Sequence, residues 1–135
     1  MSNPVYKNIN ITNLLLYLNN PRFNPVEHQT EAVDAMIRDQ PDKLTALERH
    51  IALYGLNPSD IVLVKPYKNQ WVVREGNRRI AALKLINEPD LIPSNFSKLK
   101  KEFRLISLSF DKNLLKNIQC VVLDDEDEIN EWVRL

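Results

Sequence analysis

Apolar positions along this chain keep two rhythms, and the change from one to the other marks out its elements. Ala32, Val33, Met36 and Ile37, then Leu44, Leu47, Ile51 and Tyr54, recur three and four apart. That spacing predicts a helix over 30–39 and a second helix opened by Pro41 and ended by Gly55. Short apolar runs at 61–64 and 71–74 predict two strands, and the turn residues between them, 66–70, make these a hairpin. A run rich in Ala, Leu and Lys follows Gly76 directly and predicts a helix as far as Asn87. Earlier, loose alternation over 5–11 predicts an edge strand, after which Thr12 is expected to cap a short helix through Leu14, Leu15 and Leu18. Pro21 and Pro25 break the pattern, so 19–29 reads as a loop.

Beyond a break at 87–93, Ser94 is expected to cap a helix whose apolar side is Phe96, Leu99 and Phe103; 106–110 reads equally as its end or as a short extended piece. The run 118–123 is the clearest strand in the chain, and the acidic residues 124–128 head a last amphipathic helix with Ile129, Trp132, Val133 and Leu135 as its apolar positions. The expected class is α+β, a small mixed sheet with helices around it. The last helix has no cap at its far end, so the chain reads as a single domain, 1–135, from the N-terminal part of a longer protein.

Composition narrows the partners. A chain of 135 residues can bury a core without staples, and 18 basic against 18 acidic residues leave no overall field that would draw in a polyanion. Contact with nucleic acid or nucleotide must then come from a local patch. The single cysteine, Cys120, sits in the apolar run 118–123 and has no partner for an intramolecular disulfide, which fits a reducing cytoplasm. No apolar stretch is long enough to span a bilayer, so no membrane partner is expected. Lys98, Lys100, Lys101 and Arg104 read as a solvated basic face, and the acidic run 124–128 as a complement to a helix dipole. His28 and His50 lack partners at metal-ligand spacing, so no zinc site is expected and no residue is singled out as a metal ligand. Trp71, at a strand start, reads as core and not as a base-stacking platform.

The stretch with chemistry is 71–87, a strand, a glycine turn and a helix. Gly76 permits the left-handed backbone that such a turn needs, the first N–H groups of the helix are free, and Arg78 and Arg79 add planar donors suited to phosphate oxygens. Read alone, the turn is equally compatible with a plain bend whose arginines pair with Glu75 or Glu88. Helix geometry puts Arg79 with Leu83 and Ile86, and Arg78 with Ala81, Ala82 and Leu85, so which of them would reach a ligand stays open.

Residues 75–83, Glu-Gly-Asn-Arg-Arg-Ile-Ala-Ala-Leu, resemble the Gly-Glu-Arg-Arg-x-x-Ala box of the ParB/sulfiredoxin superfamily. Two further stretches are similar to that family in the same order: Asn20-Pro21-Arg22-Phe23, and Leu53-Tyr54-Gly55-Leu56-Asn57-Pro58 followed by the strand 61–64. Together they favour phosphate binding. The resemblance implies the ParB/sulfiredoxin fold and a nucleotide triphosphate, CTP or ATP with Mg2+, bound by Gly76, Asn77, Arg78, Arg79, Arg22 and Gly55. It also implies a DNA-associated protein that reaches DNA through parts outside this chain, and a homodimer fits it as well. The departures matter equally. The sulfiredoxin branch carries a catalytic cysteine where Asn77 stands, so sulfinic-acid reduction is not expected. ParB relatives usually have Glu there, and their later Glu-Asn motif would fall beyond Leu135, which counts against hydrolysis but not against binding. The competing readings are a phosphoryl-transfer enzyme or nuclease, with Glu75 or Glu27 as its base, and an interaction domain with a vestigial box.

Overall fold

The computed structural model describes residues 4–17, 29–56 and 61–133. Strands β1 (Val5–Ile9), β2 (Leu14–Leu15), β3 (Val62–Tyr67), β4 (Gln70–Glu75) and β5 (Ile118–Val122) form one open mixed sheet in the order β1-β5-β3-β4-β2. β1 runs antiparallel to β5, β5 parallel to β3, β3 antiparallel to β4, and β4 parallel to β2. Five helices accompany it among the described residues: α1 (Gln29–Asp39), α2 (Pro41–Tyr54), α3 (Asn77–Asn87), α4 (Ser97–Ser109) and α5 (Glu126–Val133). The chain is therefore a mixed α+β protein, as its periodicity predicts.

Strand alternation divides the apolar residues between two faces. Val62, Val64, Val73, Ile118 and Cys120 point into the main core with residues of α1, α2, α3 and α4. Leu63, Val121 and Leu123 point the other way, onto Ile129 of α5. Within the main core α3 is central: Ile80, Ala81, Ala82, Leu83, Leu85 and Ile86 are all buried, so this helix is apolar nearly all round rather than amphipathic. Lys84 lies among them with its stem covered, and its ammonium donates to the Ile11 carbonyl at 3.1 Å. Burial pushes that amine down to about 8, against the raising influence of Glu88.

Several local expectations are corrected. Asn10, not Thr12, caps the turn at Ile11–Asn13 by accepting from the Thr12 N–H at 3.0 Å, and Leu14 and Leu15 then extend to pair with Trp71 and Val72. Two adjacent buried leucines serve a strand covered on both faces as well as they serve a helix. The predicted turn over 66–70 shrinks to Lys68 and Asn69, with Lys68 at φ +53°. β5 accompanies β3 only at Val62, Leu63 and Val64, so among the described residues Pro66 has β4 as its single strand neighbour and no second ladder to interrupt. Ser94 lies inside a 3-10 turn, Ser94–Phe96, and α4 begins after Phe96 without a side-chain cap; residues 106–109 belong to α4. Tyr54, placed on the apolar stripe of α2, is 74% exposed, and the buried position is Glu48. Trp132 and Val133 of α5 are likewise exposed and Ile129 alone is buried, while Leu18 and Leu135 lie outside the described residues.

Candidate functional site

β4 ends at Glu75, the chain turns at Gly76 with φ +96° and ψ +19°, and α3 starts at Asn77. The glycine is required by the backbone and not by space. A Cβ built on it would meet Val62 Cγ2 at 3.5 Å, an ordinary contact, but an L side chain is strained at that φ. Having no side chain, Gly76 cannot cap α3; its carbonyl accepts from the Ile80 N–H at 3.0 Å, the first helical bond. The N–H groups of Asn77, Arg78 and Arg79 precede that bond, at the positive end of the helix dipole.

This turn forms one wall of a groove of about 820 Å3 whose other side is the end of α1 and the middle of α2. Lys43, Arg78 and Arg79 bring three cations to it, Asp39 and Glu75 two carboxylates, and Ile61 an apolar edge. Lys43 and Asp39 were not singled out from the sequence. They belong to helices far from the box, and only the packing of α2 beside α3 brings them to it.

The candidate residues separate into distinct roles. Arg78 is exposed and its guanidinium donates to the Gln40 side-chain oxygen at the α1–α2 junction; Arg79 is half-buried. The Asn77 amide is committed to main chain at both ends: Oδ1 accepts from the Tyr17 N–H at 2.9 Å, and Nδ2 donates to the Val73 carbonyl at 2.9 Å. Gly55, at φ +74°, ends α2 by donating its N–H to the Ile51 carbonyl at 2.8 Å and does not line the groove. Arg22 and the whole Asn-Pro-Arg stretch, together with Glu27, His28 and 57–60, lie outside the described residues. The groove thus joins Gly76, Asn77, Arg78 and Arg79, but not Gly55.

Neighbouring residues fix where the chain passes this turn. The Gln29 side chain accepts from the Leu16 N–H at 2.8 Å and donates to the Leu16 carbonyl at 3.0 Å, a side-chain imitation of strand pairing. Tyr17 is held at its N–H by Asn77 and at its ring by Arg74, whose guanidinium stacks 4.5 Å from the ring centroid. The Arg74 side chain is only 9% exposed and pairs with Glu126 at 2.7 Å, while Lys65 reaches the same carboxylate at 2.9 Å. Arg74 carries the sequence signal for this role: in Trp-Val-Val-Arg it alternates onto the face opposite Val73, toward α5.

The remaining candidates stay structural. In the acidic run, Asp125 accepts from the N–H groups of Asp127 at 2.9 Å and Glu128 at 3.2 Å, capping α5. No three His, Cys, Asp or Glu side chains gather to hold a metal among the described residues. Burial pushes the Cys120 thiol up to about 12, so it supplies no thiolate near neutral pH. Trp71 packs partly against the main core, with the Lys7 ammonium 4.8 Å from its ring. Among the described residues no helix is long and apolar enough to cross a membrane.

Comparisons with protein-family models, with curated proteins and with solved structures return no match to this chain. Its function has to be read from the groove.

Proposed function

We propose that the chain is a nucleotide-binding module of ParB/sulfiredoxin type, and that the Gly76 turn takes the phosphates of a nucleoside triphosphate, CTP or ATP. The observation that carries this is a left-handed glycine opening an uncapped, core-embedded helix onto a groove with Lys43, Arg78 and Arg79. N–H groups at the start of α3 would meet phosphate oxygens, and an arginine fork adds charge-assisted donors. Mg2+ usually needs one or two protein carboxylates besides the phosphates, and Asp39 and Glu75 stand on the groove to supply them.

The reading is binding without turnover. Asn77 holds the Tyr17 N–H and the Val73 carbonyl, which leaves it a positioning residue with no carboxylate to activate a nucleophile. With 18 charges of each sign, duplex DNA would be held weakly and with steep salt dependence, and any sequence-specific contact would belong to a larger DNA-associated protein. Calorimetric titration of the four ribonucleoside triphosphates, with Mg2+ and with chelator, tests this. Arg78→Ala or Arg79→Ala is expected to weaken the best ligand by about 1.5–3 kcal/mol. No heat for any triphosphate, or affinity indifferent to both substitutions, would overturn the proposal.

A further inference from the structure

Glu48 has no place in the phosphate groove, yet it is the one fully buried charged residue among the described residues. It sits on α2, and neither of its carboxyl oxygens has a hydrogen-bond donor. A buried acid without a donor would be strongly destabilising if it were ionised. What its carboxyl meets is another carboxyl, that of Glu102 on α4. Two carboxylates cannot bond to each other, but a carboxylate and a carboxylic acid can, so the missing donor is a proton held between them.

The surroundings match this arrangement. The one cation whose charge acts on Glu48, Arg49, gives its Nε–H to Glu102 at 2.7 Å. From α1 the buried neighbours are Ala32, Val33 and Ile37, and its charged Asp34 and Arg38 pair with each other at 2.7 Å. From α3 the buried residues are apolar; Arg78 is engaged by Gln40 and Lys84 by the Ile11 carbonyl. Lys98 lines the adjoining groove, and Lys43 and Asp39 face the Gly76 groove instead. The charges that act on Glu48 are therefore Glu102 and Arg49.

We propose that Glu48 and Glu102 form a carboxyl pair sharing one proton, and that this proton decides whether α4 stays packed on α2. Glu102 is part-exposed on the groove of about 540 Å3 between the two helices, which gives the proton a path to and from solvent. With the proton in place the pair is a short neutral-to-ionic bond balanced by Arg49. Without it, two negative charges share one guanidinium, and α4 is pushed outward. Burial, then the Glu102 charge, push the Glu48 carboxyl up to about 7, which puts this change near neutral pH.

The test is a carbon-detected titration of the Glu side chains in the full chain, with α4 amide resonances followed alongside. Glu48 is expected to titrate near neutral pH, with α4 amides moving at the same midpoint. In Glu48→Gln, which mimics the protonated acid, the α4 amides should no longer titrate in that range, and the urea midpoint at alkaline pH should equal or exceed that of the wild type. In Glu102→Gln the Glu48 midpoint should fall toward the ordinary carboxylate range while staying above it. Titration of wild-type Glu48 at an ordinary carboxylate pH would overturn the proposal, as would an unmoved Glu48 midpoint in Glu102→Gln or an unchanged α4 titration in Glu48→Gln. Should Glu48→Gln not fold, the wild-type and Glu102→Gln titrations decide.

Discussion

The two faces of the sheet are held by different forces. Toward α1–α4, a continuous apolar core surrounds α3, with Phe103, Leu83, Leu85 and Ile86 fully buried. Toward α5, Leu63, Val121 and Leu123 meet Ile129 in a thin layer completed by Arg74, Lys65, Glu126 and Asn130. Apolar burial scales with the area removed from water, while ion pairs to a part-exposed carboxylate act locally and do not add up to a core. Global stability therefore belongs to the first face, and local opening to the second.

The sharpest way to break this contrast is to strike the core. Phe103→Ala is expected to cost about 3–5 kcal/mol, lowering the urea midpoint of every element together. A loss confined to α4 would mean that the first face is not one cooperative unit. Arg74→Ala follows, at about 2–3 kcal/mol, below a fully buried pair because Glu126 remains part-exposed. Its effect should appear in hydrogen exchange as α5 amides losing protection ahead of β3 and β4; uniform loss would erase the difference between the faces.

Gly76→Ala probes the junction between β4 and α3, and about 1–2 kcal/mol is expected from φ alone. A urea midpoint equal to the wild type would show that the turn tolerates a side chain. The smallest effect is acid loosening of α5. Hydrogen bonds from Lys65, then from Arg74, hold the Glu126 carboxyl below its usual value, so its contribution is present above the ordinary carboxylate pKa and lost as pH falls through the lowered one. Because this group is largely in solvent, less than about 1 kcal/mol is at stake, visible as α5 amide shifts in Glu126→Gln that match those of acidified wild type. Glu48 has the opposite sign: its raised pKa makes stability fall as pH climbs from the ordinary carboxylate range to about 7.

Periodicity read the large elements well because each has one dominant environment. α1, α2 and α4 lie where the three-and-four spacing puts them, α3 where the run rich in Ala, Leu and Lys follows Gly76, and β5 is the run of β-branched residues around Cys120. Misreadings gathered where a residue answers to a distant partner. Leu14 and Leu15 extend because β4 offers a ladder, Pro66 stays in a strand because β5 has already left, and Tyr54 is exposed because the stripe on α2 turns inward at Glu48. At the groove, Gly76, Arg78 and Arg79 were visible as a motif, whereas Lys43 and Asp39 arrive by helix packing alone. The role of Asn77 was hidden for the same reason: its partners Tyr17 and Val73 are read only from a folded chain.

The pairing of β1 with β5 sets an order in time. Val5 lies opposite Val122 and Ile9 opposite Ile118, and among the described residues β5 is the one strand with which β1 pairs. During synthesis the β3–β4 hairpin and α3 can form from neighbouring residues, but β1 must wait until β5, on the far side of both in the chain, has been made before the two can pair. Such closures are slow, and they leave an open strand edge during the wait. β1 is therefore exposed to misassembly while the chain is being made.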